Sequence, residues 1–280
     1  MYGESEVVCR LFGMLSTKKL TASKYLLDDP CSIYVQSSVS PTRLQGDGWG
    51  IGYYTNGHAR LVKSEKPVYE EHERFAAAVR LASSTIVLAH VRRASNPRGL
   101  AKERMISIEN SQPFSYRRYI FVHNGTITIP DEVAETLDEW KDSVRGLNDS
   151  EVYFSCLMKE IADGATIPNA IMKFRDTLSE VWQESRHKHP DKHRPYIGLN
   201  MLLSDGERLY AYCKYDNEDK SVKSLCFGDQ PVFQMAYLSK PTLLVVASEK
   251  TNREDNWKPL RSGQLLIGEV AEAQVRTSLQ

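Results

Sequence analysis

The stretch Cys9-Arg10-Leu11-Phe12-Gly13-Met14 is strand-like and stands close to the start of the chain. It belongs to a short apolar run from Val7 to Met14, and Trp49 to Tyr54 is a second such run. The Asn56-Gly57 pair that follows is a strong signal for a two-residue hairpin turn, so it predicts a paired strand from Arg60 to Lys63. The chain therefore begins with strands, and two of them form a hairpin.

Strands cluster towards both ends of the chain, and helical patterns lie between them. Helices are predicted at Glu70 to Ala82, Asp131 to Val144, Glu151 to Ile161 and Ala170 to Glu184. Strands are predicted at Thr85 to Val91, Tyr119 to Val122, Ile197 to Leu203, Leu209 to Lys214, Leu243 to Ala247 and Leu265 to Val270. Asp205-Gly206 is typical of a hairpin turn. This order favours α+β layers over a regular parallel βαβ series.

The composition is that of an ordinary globular protein, with 41% hydrophobic and 26% charged residues among 280. That length suits one large domain or two small ones. The 36 basic and 36 acidic side chains cancel, which argues against a general nucleic-acid binder. No apolar run approaches the roughly 18 residues of a membrane span, and the first eight residues do not form a signal peptide. We therefore expect a cytoplasmic protein without a membrane or nucleic-acid partner.

Five cysteines are scattered along the chain, and no C-x-x-C pair occurs among them. A disulfide framework is not expected at this length in a reducing compartment. Cys9 in an apolar run would, taken alone, most often be a small buried hydrophobe. The other four are predicted to be ordinary interior thiols: Cys31, Cys156, Cys213 and Cys226.

Five segments follow Cys9 in a fixed order, and together they change the interpretation of that residue. They are Gly46 to Gly52, Ala89 to Ser95, Asn110 to Phe114, Phe121 to Gly125 and Asn148 to Glu151. With Cys9 they resemble the glutaminase domain of the class II glutamine amidotransferases, within the N-terminal-nucleophile hydrolases. The resemblance is closest to stand-alone members without a fused synthetase, and a weaker similarity at Ala247-Ser248-Glu249 and Trp257 extends it almost to the end.

The resemblance implies a four-layer α/β/β/α sandwich formed as one domain from residue 9 to residue 280. It implies a cysteine amidohydrolase that needs neither a cofactor nor a metal. Cys9 would attack the γ-carbonyl of glutamine, and its own α-amino group would act as the base. A free α-amine titrates near pKa 7.7–8.0, which suits proton transfer at physiological pH. A γ-glutamyl thioester would form and be hydrolysed to glutamate.

The oxyanion of this reaction needs hydrogen-bond donors at the reacting carbonyl. By resemblance these are the side-chain amide of Asn124 and the backbone N–H of Gly125, where the backbone can approach closely without a Cβ. An Asn-Gly pair is also a common type I′ turn. Both roles are compatible, since such a turn would expose the two groups.

The amino-acid end of the substrate calls for a guanidinium and a carboxylate. The planar fork of an arginine suits the α-carboxylate, and by resemblance this is Arg92. Neighbours on a strand point to opposite faces, so Arg93 is expected to be a surface charge. Asp149 matches the acidic residue that binds the α-ammonium. It could also cap the helix that starts near Glu151, and a shared role is favoured.

Three further groups have plain structural interpretations. The glycines from Gly46 to Gly52 lack the Gly-Lys-Ser/Thr ending of a phosphate loop, so we expect close sheet packing there, with Trp49 as a wall of the substrate site. His90 and His123 each end a predicted strand, where a ring N–H could hold a loop carbonyl. A solvated loop is favoured over a metal site for the remaining group: His187, His189 and His193.

The first eight residues conflict with this mechanism, because Val8 precedes the nucleophile. While the Val8–Cys9 bond is intact, the nitrogen of Cys9 is an amide and cannot act as a base. The translated chain is therefore predicted to be an inactive precursor. Residues 1–8 could be a propeptide, a misassigned start or cloning addition, or the mark of a catalytically dead relative.

Three functions remain open from the sequence. Ammonia from glutamine could pass to a separate synthetase subunit, since 280 residues leave no room for a second catalytic domain. The protein could instead cleave γ-glutamyl peptides or conjugates without any ammonia acceptor. It could also be a silent binding or regulatory subunit that keeps its extension.

Overall fold

A computed structural model describes residues 8–216 and 222–280 of the chain. The expected extension at residues 1–8 therefore lies outside the described residues except for Val8. The strands, numbered in chain order, are β1 Arg10–Leu20, β2 Trp49–Thr55, β3 His58–Ser64, β4 Ser84–Val91, β5 Phe114–Tyr116, β6 Tyr119–Ile127, β7 Tyr196–Ser204, β8 Arg208–Tyr212, β9 Met235–Lys240, β10 Leu243–Ala247, β11 Lys258–Leu260, β12 Leu265–Ala271 and β13 Gln274–Leu279.

Helices occupy the connections between these strands. The α-helices are α1 Ile33–Gln36, α2 His72–Leu81, α3 Lys102–Met105, α4 Pro130–Glu135, α5 Asp149–Ala162 and α6 Ile167–Ser185. Shorter helical turns are a π-helix at Lys24–Asp28 and 3₁₀ turns at Val68–Glu70, Asp138–Ser143 and Arg186–Lys188. In the part of the chain that the structure describes, every helix is too short or too polar to span a bilayer.

The strands form two sheets whose paired strands are all antiparallel. The first has the order β11-β9-β10-β1-β4-β2-β3 and the second the order β13-β12-β8-β7-β6-β5. β1 lies inside the first sheet, between β10 and β4, with Phe12 opposite both Ala247 and Ala89. The strand that follows Cys9 is therefore held on both sides, which fixes its register.

Three buried clusters show that the sheets and helices form four layers. Because successive strand residues point to opposite faces, Leu11 enters the cluster between the two sheets and Phe12 enters the outer one. The outer cluster packs against α2 through Phe75. On the far side, Phe174 of α6 joins the third cluster beneath the second sheet. The predicted α+β class and the four-layer sandwich are confirmed.

Close contact between the sheets depends on glycine in β2. A Cβ on Gly50 would collide with the backbone oxygen of Gln112, and one on Gly52 would lie 2.7 Å from the side chain of Ile120. Real side chains do not tolerate such contacts. The expectation that these glycines permit close sheet packing is confirmed.

The local turn and helix predictions had mixed outcomes. Asn56 and Gly57 have φ values of 52° and 76°, as a type I′ hairpin turn requires, and they join β2 to β3. The predicted helix from Asp131 to Val144 is wrong as one element. It is divided into α4 and a 3₁₀ turn, because Asp138 adopts a left-handed backbone with φ 51°.

Candidate active site

Cys9 lies immediately before β1 and is 8% exposed. Its Sγ donates to the carbonyl of Arg93 at 3.2 Å and accepts from the Arg93 N–H at 3.4 Å. Val8 and Leu11, which stand before and after it in the chain, both lie in the cluster between the two sheets. Burial raises the pKa of the thiol to about 11, so the sulfur is protonated at neutral pH in this chain.

Arg92 directly follows β4, and its charge acts on the Cys9 thiol. It is 2% exposed, and its Nη1 donates to the carbonyls of Met105 at 2.7 Å and Asp47 at 3.3 Å. Burial lowers the pKa of the guanidinium, against the opposing effects of Cys9, Asp47 and Asp149. Among the described residues the hydrogen bonds of this guanidinium are made by Nη1, and the rest of its donor fork can bind a carboxylate.

Asp149 is the first residue of α5 and is 1% exposed. Its Oδ2 accepts from the Ile127 N–H at 2.7 Å, and its Oδ1 accepts from the Ser95 hydroxyl at 3.3 Å. Burial raises the pKa of this carboxyl, against the opposing effects of these hydrogen bonds and of nearby arginines. The alternative role as helix cap is wrong, because Asn148 caps α5 by accepting from the Ser150 N–H.

Asn124 and Gly125 lie inside β6, so the expectation of a turn at this pair is wrong. Long-range pairing of Asn124 with Asn200 on β7 overrides the local turn preference, and a bulge follows Gly125. Among the described residues, neither side-chain amide atom of Asn124 has a hydrogen-bond partner, although the side chain is fully buried. Such an amide is costly unless a ligand satisfies it.

Backbone packing explains why residue 125 is glycine. A Cβ there would collide with the carbonyl oxygen of Gly198. β6 and β7 therefore approach each other closely at the residue that follows Asn124. Any side chain at position 125 would push the strands apart and move the Asn124 amide with them.

Gln112 is a supporting residue to which the sequence reasoning assigned no role. Its Oε1 accepts from the His123 N–H at 2.6 Å, and its Nε2 donates to the His123 carbonyl at 3.2 Å. The side-chain amide thus pairs with β6 as a neighbouring strand would, one residue before Asn124. Gln112 belongs to the Asn-Ser-Gln-Pro-Phe motif, but only the fold shows that its partner is His123.

Asp47 was also recognised within a motif without being assigned a role. It is 8% exposed, accepts from the Ala94 N–H at 2.8 Å and lies 3.2 Å from the Lys102 ammonium. The carboxylates of Asp47 and Asp149 both raise the pKa of the Cys9 thiol, and Arg92 lowers it. The three charged side chains are therefore near enough to the sulfur to act on it electrostatically.

Trp49 lies away from Cys9, Arg92 and Asp149, so the structure does not support its expected role as a wall of the substrate site. The ring has no exposed surface, lies edge-on to Phe75 at 5.1 Å and donates through Nε1 to Glu71 at 3.0 Å. Alternation along β2 explains the difference, because Gly50 faces the second sheet and Trp49 faces the outer helix.

The two histidines beside the motifs are buried and neutral. Burial lowers the pKa of His90 to about 3 and that of His123 to about 4. The Nδ1 of His123 lies 2.9 Å from the Ser150 hydroxyl, so this ring connects β6 to α5. Among the described residues the ring nitrogens of His90 make no bond to a loop carbonyl, and the backbone of His123 in β6 acts on this ring instead.

Cys31 and Cys226 form a disulfide across 195 residues of sequence, with their Cα atoms 6.0 Å apart. The prediction that both are ordinary thiols is therefore wrong, and spacing along the chain could not have revealed the pair. Cys156 and Cys213 are free and buried, as predicted.

Potential metal ligands converge at one place in the described ranges 8–216 and 222–280. The sulfurs of Cys31 and Cys226 and a carboxylate oxygen of Glu249 lie within 4.8 Å of one another. The sulfurs are joined to each other, and the Glu249 carboxylate accepts N–H groups from Leu225, Cys226 and Phe227. These ligand atoms are thus already committed. Within the histidine group, His189 pairs instead with Glu132 at 2.7 Å.

Two antiparallel sheets face to face with helices outside them define the class of fold, which is the N-terminal-nucleophile hydrolase sandwich. The family model described as "Glutamine amidotransferases class-II" matches residues 8–278. The chain therefore belongs to the class II glutamine amidotransferases, as its motifs indicated.

Curated relatives and solved structures agree with this membership. The chain is 26% identical over 234 residues to YafJ of Escherichia coli (strain K12), named as a glutamine amidotransferase, covering 78% of this chain and 83% of YafJ. It is 30% identical over 125 residues to the gamma-glutamyl-hercynylcysteine sulfoxide hydrolase of Mycobacterium tuberculosis, covering 43% of this chain and 50% of that protein.

Two solved structures share the fold. A glutamine aminotransferase class-II domain protein from Silicibacter pomeroyi superposes with a TM-score of 0.61 at 19% identity, covering 96% of this chain and 98% of that one. Glutamine phosphoribosylpyrophosphate amidotransferase from B. subtilis gives a TM-score of 0.61 at 15% identity, covering 96% of this chain and 49% of that one.

Proposed function

We propose that this chain is a cysteine amidohydrolase that releases ammonia from the γ-amide of glutamine once the bond between Val8 and Cys9 has been cut. Residues 9–280 would then be the single catalytic domain. The observation that carries the proposal is that Cys9, Arg92 and Asp149, from three separate parts of the chain, are all buried and near enough for both charges to act on the sulfur.

Each residue has a role that follows from its surroundings. Arg92 would hold the α-carboxylate of glutamine through a planar pair of N–H groups. Asp149, fixed at the start of α5, would bind the α-ammonium. These two contacts would place the γ-carbonyl at the Cys9 sulfur.

Bond changes in the reaction balance without any further reactant than water. The thiol proton passes to the freed Cys9 amine as sulfur bonds to the γ-carbon, and the Asn124 amide and Gly125 N–H stabilise the oxyanion. The amine then gives that proton to the departing nitrogen, which leaves as ammonia. Water attacks the γ-glutamyl thioester, and glutamate and the thiol are regenerated.

Val8 supports the proposal that the uncut chain is inactive. It is 3% exposed and packs in the cluster between the sheets. Its carbonyl also holds the Cys9 nitrogen as an amide, which has no basic lone pair. Cutting after Val8 would remove the acyl group from that nitrogen and vacate this space.

Release of glutamate from glutamine tests the proposal in three versions of the protein. We expect turnover from a chain that begins at Cys9 and none from the chain that begins at Met1. A Cys9→Ala version of the shorter chain should also be inactive. Hydroxylamine should trap γ-glutamyl hydroxamate from the active chain alone. Full turnover by a chain whose intact mass still includes Met1 would contradict the role of the amine.

A γ-glutamyl conjugate is the second candidate substrate, because one relative is named as a hydrolase of such a compound. In that case no separate synthetase would be needed to receive ammonia. Comparing kcat/KM for glutamine with that for γ-glutamyl dipeptides separates the two candidates. A ratio of at least about tenfold in favour of the dipeptides, about 1.4 kcal/mol in transition-state binding, would support the second.

A further inference from the structure

Asn200 in β7 lies directly opposite Asn124 in β6. Val122 and Leu202 form another such pair two residues away, and both belong to the cluster between the two sheets. Alternation along the strands therefore turns the side chains of Asn124 and Asn200 to that same face. Directly opposed residues on antiparallel strands have Cβ atoms about 4.5–5.5 Å apart, so the two side-chain amides are neighbours.

The two amides differ in their hydrogen bonds, although neither side chain is exposed. The Nδ2 of Asn200 donates to the carbonyl of Phe233 at 2.5 Å, and its Oδ1 accepts from the Lys214 N–H at 2.8 Å. Within residues 8–216 and 222–280, the Oδ1 and Nδ2 of Asn124 have no partner. Neighbouring buried amides can pair with each other, but here both ends of the Asn200 amide are bonded to the backbone. The Asn124 amide is thereby left available to a ligand.

The partners of Asn200 also belong to the backbone that surrounds Gly125. The bulge in the pairing of β6 with β7 passes over Gly198, which has a φ of 74°. A Cβ on Gly198 would lie 3.0 Å from the ring of Phe233, so that ring packs directly on the bulge. Asn200 thus ties the bulged strand to the segment before β9 through Phe233 and to the end of β8 through Lys214. Bulges often direct side chains at active sites.

We propose that Asn200 is a positioning residue that keeps the Asn124 amide free and correctly placed for the oxyanion. The inference rests on the proposed function, in which the Asn124 amide donates to that oxyanion. A donor without a competing partner needs no reorganisation when negative charge develops on the substrate. The two backbone bonds of Asn200 provide this condition, because they hold its own amide away from Asn124.

Two substitutions give Asn124 a competing partner. Asn200→Asp keeps the shape of the side chain, and one oxygen can still accept from the Lys214 N–H. The other oxygen cannot donate to the Phe233 carbonyl and is repelled by it, so it can accept from the Asn124 amide instead. Asn200→Ala removes both bonds and leaves the Phe233 carbonyl as an acceptor for that amide.

Kinetics of chains that begin at Cys9 measure the effect on glutamine cleavage. Each variant should lower kcat by at least about tenfold, because loss of one oxyanion donor typically costs about 10²–10³. KM should change by less than about twofold, since Arg92 and Asp149 bind the other end of the substrate in the proposed function. Asn169→Asp is the matched control, because Asn169 is exposed on α6, and it should behave as the parent.

A double-mutant cycle with Asn124→Ala distinguishes positioning from a general structural role. Asn124→Ala alone should lower kcat by about 10²–10³. If Asn200 acts through Asn124, adding either change at position 200 should lower kcat by less than about twofold more. Equal losses in the two backgrounds would overturn the inference, because Asn200 would then act independently of Asn124.

Crystal structures of the chain that begins at Met1 test the positioning without any turnover. The Asn124 amide should be unbonded to Asn200 in the parent and should bond to the new carboxylate in Asn200→Asp. If that variant does not fold, the amide should move towards the Phe233 carbonyl in Asn200→Ala. A bond between Asn124 and Asn200 in the parent, or an unmoved Asn124 amide in the variant, would overturn the inference. A moved amide in a protein that does not cleave glutamine would support the positioning and refute the proposed function.

Discussion

Replacing Gln112 with alanine tests how β6 is held beside the candidate oxyanion groups. The change would leave the N–H and C=O of His123 without the partners that lie at 2.6 Å and 3.2 Å. His123 is 1% exposed, so solvent cannot replace them directly. An unsatisfied buried group costs about 1–3 kcal/mol, which gives about 2–4 kcal/mol for the pair after some relaxation. That is a large part of the stability of a typical domain.

Urea unfolding of the full chain measures this free energy. Gln183→Ala is the control, because Gln183 is exposed on α6, and it should change the free energy of unfolding by less than about 0.5 kcal/mol. Gln112→Glu is the informative third variant. Its carboxylate can still accept from the His123 N–H but cannot donate to the carbonyl, and the loss should diminish as acid protonates it.

The activity of Gln112→Ala, measured in a chain that begins at Cys9, gives a second test of this role of Gln112. Because Asn124 follows His123, a displaced strand should lower kcat more than it raises KM. A loss below about 1 kcal/mol in Gln112→Ala would refute the reasoning, since such a value is expected for an ordinary exposed hydrogen bond. So would a Gln112→Glu variant with the same stability as the parent at neutral pH.

Three further predictions concern the cross-link, the glycine and the arginine. Thiol titration of the unfolded chain should find three thiols before reduction and five after it, and five thiols throughout would exclude the Cys31–Cys226 bond. Loss of this bond should lower the free energy of unfolding by about 2–5 kcal/mol, measured by thermal or urea unfolding. Gly125→Ala should abolish turnover, because the new Cβ would collide with the Gly198 carbonyl. The control is Gly164→Ala, which has open space around it and should lose only about 1 kcal/mol of stability. Equal activity in the two variants would refute this prediction. Arg92→Lys should raise KM more than it lowers kcat, because a point charge cannot replace a planar fork, and an unchanged KM would remove Arg92 from the substrate site.

Local physics explains which parts of the fold could be predicted from the sequence. Asn56-Gly57 was predicted correctly because its backbone preference requires no distant partner. The helix predicted from Ala170 to Glu184 extends in the structure from Ile167 to Ser185. It could be predicted because its apolar residues recur at helical spacing along the face that becomes buried. β13 escaped prediction because Val275 is the buried residue in an otherwise exposed strand, which leaves no alternation to detect.

Long-range pairing accounts for what could not be predicted at the site. Asn124-Gly125 has the composition of a turn, and only pairing with β7 keeps it extended. The side-chain amide of Gln112 donates to the carbonyl of His123, eleven residues away in sequence. Cys31 is bonded to Cys226, 195 residues away. No local pattern contains such partners. The ordered motifs named Arg92 and Asp149, which the fold buries near enough to Cys9 to act on it electrostatically, and their roles in substrate binding stay predictions.

The choice of base in the proposed mechanism is also constrained by the groups around the sulfur. His90 and His123 are poor bases, because burial holds their pKa values near 3 and 4. Asp149 accepts from Ile127 and Ser95, and Asp47 accepts from Ala94 and pairs with Lys102. Both carboxylates are thus engaged by other groups, and a thiol whose pKa burial raises to about 11 needs a base that is free to accept its proton. The amine that cutting at Val8 would create meets this need, so cleavage and thiol activation would be one event.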